Sequence, residues 1–228
     1  MEFFVDSADL ETVKAIDAVY PIEGFTTNPN ILTQATKPLD VVFAEYRAYI
    51  RETGRLLFVQ VTARDAAGMA EQGLRLREYF GEKLVVKLPA TAEGYRALKA
   101  LKAKGLTVCV TVIHSVMQAL MAARAGADYA APYISHIDNI GADGIRCARE
   151  MVEGFARYGY GCKLLGASFR TVDQIERLAG VGCQAVTVAP AMFPMLIAHP
   201  STDVSLTGFD AAWRGAFGDR QVTDFLPR

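Results

Sequence analysis

Leu84-Val85-Val86-Lys87-Leu88-Pro89-Ala90-Thr91-Ala92-Glu93-Gly94 reads as an apolar strand that passes into a helix, with one lysine inside the strand. An ammonium group among aliphatic and β-branched neighbours is costly to desolvate unless it is paired or loses its proton. Two readings of Lys87 follow. Desolvation lowers a lysine pKa, and the neutral amine so produced attacks carbonyls to form a Schiff base. Alternatively, the lysine sits at a strand end and snorkels to water or pairs with a carboxylate.

Outward from this unit the same alternation runs along the whole chain. Strand-like runs fall at Phe3 to Val5, Gly24 to Thr27, Leu56 to Val61, Leu84 to Leu88, Thr107 to Ile113, Tyr129 to Tyr133, Lys163 to Ala167 and Ala185 to Val188. A helix is expected from about Asp9 to Val19, and further helices open at Lys37-Pro38, Ala92-Glu93, Ser115 and Thr171-Val172-Asp173. Eight such units with short apolar strands predict a closed (β/α)₈ TIM barrel. A doubly wound open sheet is the other fold with this alternation; no G-x-G-x-x-G follows the first strand, which argues against its dinucleotide-binding form.

In a barrel of this kind the chemistry lies at the C-terminal ends of the strands. Polar residues stand at seven of them: Asp6; Thr26-Thr27-Asn28-Pro29; Gln60; Lys87; Thr111; Tyr133 to His136; and Ser168 with Arg170. Singly, each has an ordinary explanation, Asp6-Ser7 as a helix cap and Thr27-Asn28-Pro29 as a turn. Together, around a buried lysine, they point to an active site.

The global numbers fit one barrel domain over residues 1–228. With 228 residues, 51% of them hydrophobic, the chain can bury a sizeable core. Lysine and arginine number 24 against 25 acidic residues, with no basic run, so neither nucleic acid nor an anionic membrane surface is an expected partner. No segment approaches 18 apolar residues and the N-terminus lacks a signal-peptide pattern, which predicts a cytoplasmic protein. Cys109, Cys147, Cys162 and Cys183 form no C-x-x-C pair and read as reduced thiols, mostly buried. They share no ligand spacing with His114, His136 and His199, so no metal site is expected.

Phe4-Val5-Asp6, Gly24-Phe25-Thr26-Thr27-Asn28-Pro29, Val85 to Gly94, Ala130-Ala131-Pro132-Tyr133 and Gly166-Ala167-Ser168-Phe169-Arg170 together resemble the short, single-domain branch of the transaldolase family, which includes fructose-6-phosphate aldolase. The resemblance runs from Met1 to about Gly218. It implies a class I mechanism without metal or other cofactor, acting on sugar substrates of carbohydrate metabolism such as those of the pentose phosphate pathway, with Lys87 as the Schiff-base residue. By matching position it gives Asp6 the donor hydroxyl beside the reacting carbon and a part in proton transfer. Asn28 would bind the donor's other hydroxyl and Thr26 would line the same pocket. Gln60 and Thr111 would hold the catalytic water, with Tyr133 close to it.

Within the family, transaldolases have a glutamate and a phenylalanine where this chain has Gln60 and Tyr133, and the aldolases resemble this sequence. The resemblance therefore favours aldol cleavage and addition with a dihydroxyacetone-type donor; transfer of a dihydroxyacetone unit between sugars is the alternative. One position departs from the family. Where its members place an arginine that clamps the substrate phosphate, this chain has His136, which cannot offer the bidentate fork of a guanidinium. Arg170 is expected to supply one cation, and a non-phosphate tail, a sulfonate for example, or a neutral one, is the alternative. His136 can equally be a surface loop residue.

After the eighth unit, Phe209, Trp213 and Phe217 fall at i, i+4 and i+8, one aromatic stripe on a C-terminal helix of about 204–217. The stripe needs a partner surface. By the resemblance, that is a neighbouring subunit in a homo-oligomer, a pentamer or decamer.

Overall fold

Eight short segments pair in parallel, each with the next and the last with the first, so the sheet closes on itself. The computed structural model describes residues 1–227. The elements are β1 (Glu2–Asp6), α1 (Leu10–Asp17), β2 (Gly24–Thr26), α2 (Pro29–Leu32), α3 (Leu39–Thr53), β3 (Leu56–Gln60), α4 (Ala66–Phe80), β4 (Leu84–Pro89) and α5 (Ala92–Lys102). There follow β5 (Thr107–Ile113), α6 (Val116–Arg124), β6 (Tyr129–Pro132), α7 (Ile134–Asn139), α8 (Gly144–Arg157), β7 (Lys163–Gly166), α9 (Val172–Gly180), β8 (Ala185–Val188) and α10 (Pro200–Phe217). The fold is a (β/α)₈ barrel with a helix added at its C-terminus. Met1–Phe193 forms one compact unit and the residues from Pro194 onward a second.

The strand period of two builds the barrel in layers. Phe4, Phe58, Val85, Cys109, Tyr129, Ala131, Leu165 and Ala185 make a buried plug, in which Phe58 packs edge to face on Phe4 at 4.9 Å and on Tyr129 at 5.1 Å. Two residues beyond most plug members come Asp6, Gln60, Lys87, Thr111 and Thr187 on the same strands, and Tyr133 and Ala167 just past the ends of β6 and β7, where they pair as an isolated bridge; these form the next inward layer. At Gly24 the β2 backbone runs so close to β3 that any Cβ would stand inside the Leu56 carbonyl oxygen.

The helix starts follow their caps. Ser115 and Thr171 accept from the backbones of Gln118 and Gln174, and both glutamines reach back to close capping boxes. Two stretches differ from their sequence reading. Asn28 caps a short helix with Pro29 at its first position, in place of a plain turn. Tyr133 to His136 is not a strand end: β6 stops at Pro132, Tyr133 takes the N-cap position, and His136 lies in α7. Ile134 and Ile137, three residues apart, are both fully buried, and that spacing places them on one helix face where strand alternation would separate them.

The second unit is organised around Trp213, which packs on Phe217 at 4.8 Å and on Phe225 at 6.1 Å and donates its indole N–H to the Arg220 carbonyl at 2.7 Å. Val222–Phe225 thus form a short turn whose Phe225 packs on Trp213 and Phe217 of the aromatic stripe. Phe209, the first member of that stripe, is 69% exposed.

Candidate active site

Asp6, Asn28, Gln60, Lys87, Thr111, Tyr133, His136 and Ser168 line one cavity of about 560 Å³ at the C-terminal ends of the strands. Asp6, Gln60, Lys87, Thr111 and Tyr133 reach it as the inward residues above the aromatic plug, whereas Asn28, His136 and Ser168 come from the helix cap, the helix and the turn that follow β2, β6 and β7. A groove of about 880 Å³ lies between α3 and α4, but its wall carries no lysine, histidine or cysteine.

Lys87 is 4% exposed, and its Nζ donates to the Thr27 carbonyl at 2.8 Å. Burial pushes its pKa down, opposed by the neighbouring Asp6 carboxylate, so that more of the amine is neutral at a given pH than in a free lysine. At 4% exposure the side chain does not snorkel to bulk water; it lines the cavity, with the carboxylate of the other reading, Asp6, as its neighbour. For Asp6 the balance is the mirror image: burial pushes its pKa up, against the pull of Lys87 and a hydrogen bond from Thr26. Thr26 Oγ1 donates to Asp6 Oδ1 at 2.6 Å and lies 2.6 Å from Thr187 Oγ1. Adjacent residues of one turn therefore hold both groups, Thr26 the carboxylate and Thr27 the lysine.

On the opposite wall Thr111 Oγ1 stands 3.5 Å from the Tyr133 hydroxyl. Burial raises the Tyr133 pKa, which keeps it a neutral phenol able to give a proton. Asn28 Oδ1 accepts from the Ile31 N–H at 3.0 Å, which spends its oxygen on the helix cap and leaves its NH₂ for another partner.

The residues expected to meet the substrate tail are arranged less simply. His136 is exposed on the cavity wall, with its ring stacked on His114 at 5.8 Å and edge-on to Tyr133 at 5.2 Å. Ser168 lines the cavity in a left-handed conformation, φ 61°. Arg170 is exposed and outside the cavity wall, its backbone N–H bonded to Gln174 Oε1 at 2.8 Å. Thr26 is fully buried beneath Asp6 and is also outside the wall.

Val112 is the other non-glycine residue with positive φ among the described residues, at 60°. It lines the cavity where the β5 to β6 register shifts between Val110 and Ile113. A β-branched residue is strained there, and such strain collects at functional sites.

A family model for transaldolase/fructose-6-phosphate aldolase matches residues 3–221, nearly the whole chain. The chain belongs to the transaldolase/fructose-6-phosphate aldolase family. Membership makes it an enzyme of the aldolase or transaldolase type. Solved structures with the same fold include a mandelate oxidase mutant with a monooxide FMN adduct, at 17% identity and TM-score 0.57 over 83% of this chain and 65% of that one. Another is mandelate oxidase with (S)-2-phenylpropionate, at 18% identity and TM-score 0.58 over 83% and 64%. This chain thus spans less than two thirds of the oxidase chains, and at such identities the likeness concerns the barrel alone. No helix among the described residues is long and apolar enough to cross a membrane.

Sequence reading missed Thr187, His114 and Val112. Thr187 had a usable signal, as the lone polar residue of Ala185-Val186-Thr187-Val188 at the one strand end not considered. His114 and Val112 had none, since ring stacking and a backbone twist are not local properties of the sequence.

Proposed function

We propose that the chain is a class I aldolase that makes or cleaves a ketose through a Schiff base on Lys87, with a dihydroxyacetone-type donor. The observation that carries the reading is Lys87, buried yet lining the cavity, with its pKa lowered and the Asp6 carboxylate beside it. In cleavage the neutral amine adds to the ketone of the ketose, and loss of water gives an iminium that draws electrons from the neighbouring carbon. Asp6 takes a hydroxyl proton as the carbon–carbon bond breaks and an aldehyde leaves. Tyr133, held as a phenol beside Thr111, then protonates the enamine. Water returns the free amine. The test is borohydride reduction in the presence of dihydroxyacetone, with a mass increment expected on Lys87 and none elsewhere.

Gln60 and Tyr133 support cleavage over transfer, because a phenol can finish the reaction by protonating the enamine, where a phenylalanine leaves it waiting for an aldehyde. The second reading, a transaldolase moving a dihydroxyacetone unit between sugars, predicts no free dihydroxyacetone without an acceptor. Tyr133→Phe is expected to slow release of free dihydroxyacetone roughly a hundredfold, the low end of general acid catalysis, and transfer to an added aldehyde far less. Equal losses in the two assays would remove Tyr133 from the choice.

His136 bears on the tail of the substrate. With Arg170 outside the wall, an imidazole and the Ser168 hydroxyl stand where a guanidinium clamp is expected, which supports a tail other than phosphate. His136→Arg is expected to lower KM for a phosphorylated substrate about tenfold to a hundredfold at nearly constant kcat, the worth of one charge-assisted pair remote from the reacting carbon. Kinetics on phosphorylated, sulfonated and neutral analogues check it; a mutant that weakens every anionic substrate means that His136 itself fits the native anion. The exposed apolar side chains Val204, Leu206 and Phe209 of α10 support association with further copies of the chain, for which sedimentation is the measurement.

A further inference from the structure

We propose that Thr187 and Thr26 form a proton relay that ends on Asp6, so that a substrate hydroxyl resting against Thr187 can be deprotonated by a carboxylate it does not touch. The inference rests on the reading of Asp6 as the base above and extends its reach to the neighbouring strand β8.

Thr26 has one hydroxyl hydrogen and two oxygen neighbours, Asp6 Oδ1 and Thr187 Oγ1, both at 2.6 Å. Thr26 Oγ1 donates to Asp6 Oδ1, and a carboxylate acting as base only accepts, so that hydrogen lies on the Asp6 side. Thr26 Oγ1 must then accept, and the Thr187 hydroxyl gives it a hydrogen. The order Thr187 to Thr26 to Asp6 is thereby fixed. Thr187 Oγ1 retains its own lone pairs, and Thr187 lines the cavity while Thr26 does not. Its free acceptor is thus offered to whatever occupies the cavity. Thr26 is fully buried and Thr187 is 5% exposed, so no bulk water breaks into the chain.

In the relay each hydrogen moves one place. The substrate hydroxyl gives its proton to Thr187 Oγ1, Thr187 gives its own to Thr26 Oγ1, and Thr26 gives its own to Asp6 Oδ1. The net change is one proton from substrate to Asp6, with both hydroxyls restored and reversed in direction. The electron pair left on the substrate oxygen becomes the second bond of the aldehyde carbonyl as the carbon–carbon pair flows into the iminium. The reversed chain then delivers the proton back in the addition direction. Burial of Asp6, which favours its neutral form, helps the carboxyl keep the proton between the two events.

The test uses Thr187→Val, which keeps the shape and removes the hydroxyl, and Thr187→Ser, which keeps the hydroxyl. Borohydride trapping of dihydroxyacetone on Lys87 is expected to match wild type in both. Turnover of a ketose is expected to fall about tenfold to a hundredfold in Thr187→Val and to recover most of that in Thr187→Ser. Rates in mixtures of light and heavy water give the decisive readout. Three hydrogens in flight produce a curved dependence on deuterium fraction in wild type and in Thr187→Ser, and a straight one in Thr187→Val. A straight line in wild type, full turnover in Thr187→Val, or a slow Thr187→Val that keeps the curvature each overturn the relay while leaving the Schiff base in place. Absence of trapping in wild type overturns both.

Discussion

Lys87→Met loses turnover by a factor on the order of 10⁴ or more, the scale seen when a covalent nucleophile is removed, and loses borohydride trapping altogether. The fold survives and gains stability. Methionine keeps the stem in the apolar wall and removes the group whose charge the wall resists. Asp6 loses its cationic neighbour, but it keeps the Thr26 hydroxyl and its raised pKa lets it take a proton, so no stranded charge remains. The pH dependence has a definite sign. In the unfolded chain Lys87 holds its proton up to about 10.5, and in the fold it releases it at a lower pH. Between those two values the unfolded state binds the extra proton, so wild-type stability rises with pH. Below the folded value the cost of the buried charge is present in full; above 10.5 it is gone. The advantage of methionine in thermal midpoint is therefore largest on the acid side and shrinks as pH approaches 10.5. Turnover retained in the purified mutant would remove Lys87 from the chemistry. A midpoint difference that grows with pH would contradict the burial argument.

The barrel was legible because two short-range patterns agree at each step, apolar runs of strand length and capped amphipathic stretches between them. Much of the candidate cavity lining was legible too, since Asp6, Gln60, Lys87 and Thr111 stand at strand ends on the inward side, a matter of counting. Counting fails where the backbone leaves the strand. Arg170 stands two residues after Ser168 and on a strand would share its side, but Ser168 has φ 61°, alternation ends there, and Arg170 finishes exposed outside the cavity. His136 illustrates the converse. Read as part of a strand end or as a loop residue, it lies in α7, against Tyr133 and His114, because Ile134 and Ile137 need one buried face. Thr187 was passed over because a single hydroxyl between valines carries no motif; its weight comes from Thr26, distant in sequence and adjacent in space.

Gly94→Ala is expected to cost about 3 kcal/mol or more, because the added Cβ must overlap a carbonyl that cannot rotate away. The Thr91-Ala92-Glu93-Gly94 turn that follows β4 is tight. Thr91 Oγ1 accepts from the Gly94 N–H at 3.1 Å, and Glu93 Oε2 accepts from the Ala66 N–H at 2.9 Å, tying the turn to the start of α4. With α5 held so, a Cβ on Gly94 falls inside the Pro89 carbonyl oxygen. Pro89 ends β4 two residues after Lys87, and Ala90 donates to the Thr111 carbonyl at 3.0 Å, so relief by backbone movement displaces the strand end that carries the amine. The thermal midpoint should fall by roughly 6 to 12 °C, and kcat should fall more than KM rises, because a misaimed nucleophile harms the reaction more than the binding. Gly68→Ala is the control. Gly68 occupies the same third position of α4, with its N–H on the Asp65 cap, but the three atoms nearest its Cβ would be the Ala63 Cβ at 3.0 Å and the two Asp65 carboxylate oxygens at 3.2 and 3.5 Å. The loop that carries Ala63 has to give by a few tenths of an ångström, and alanine brings about 1 kcal/mol of helix preference, so this variant should stay near wild type. If Gly94→Ala melts with Gly68→Ala, the close approach at Pro89 does not constrain the turn, and the glycine there answers to something other than packing.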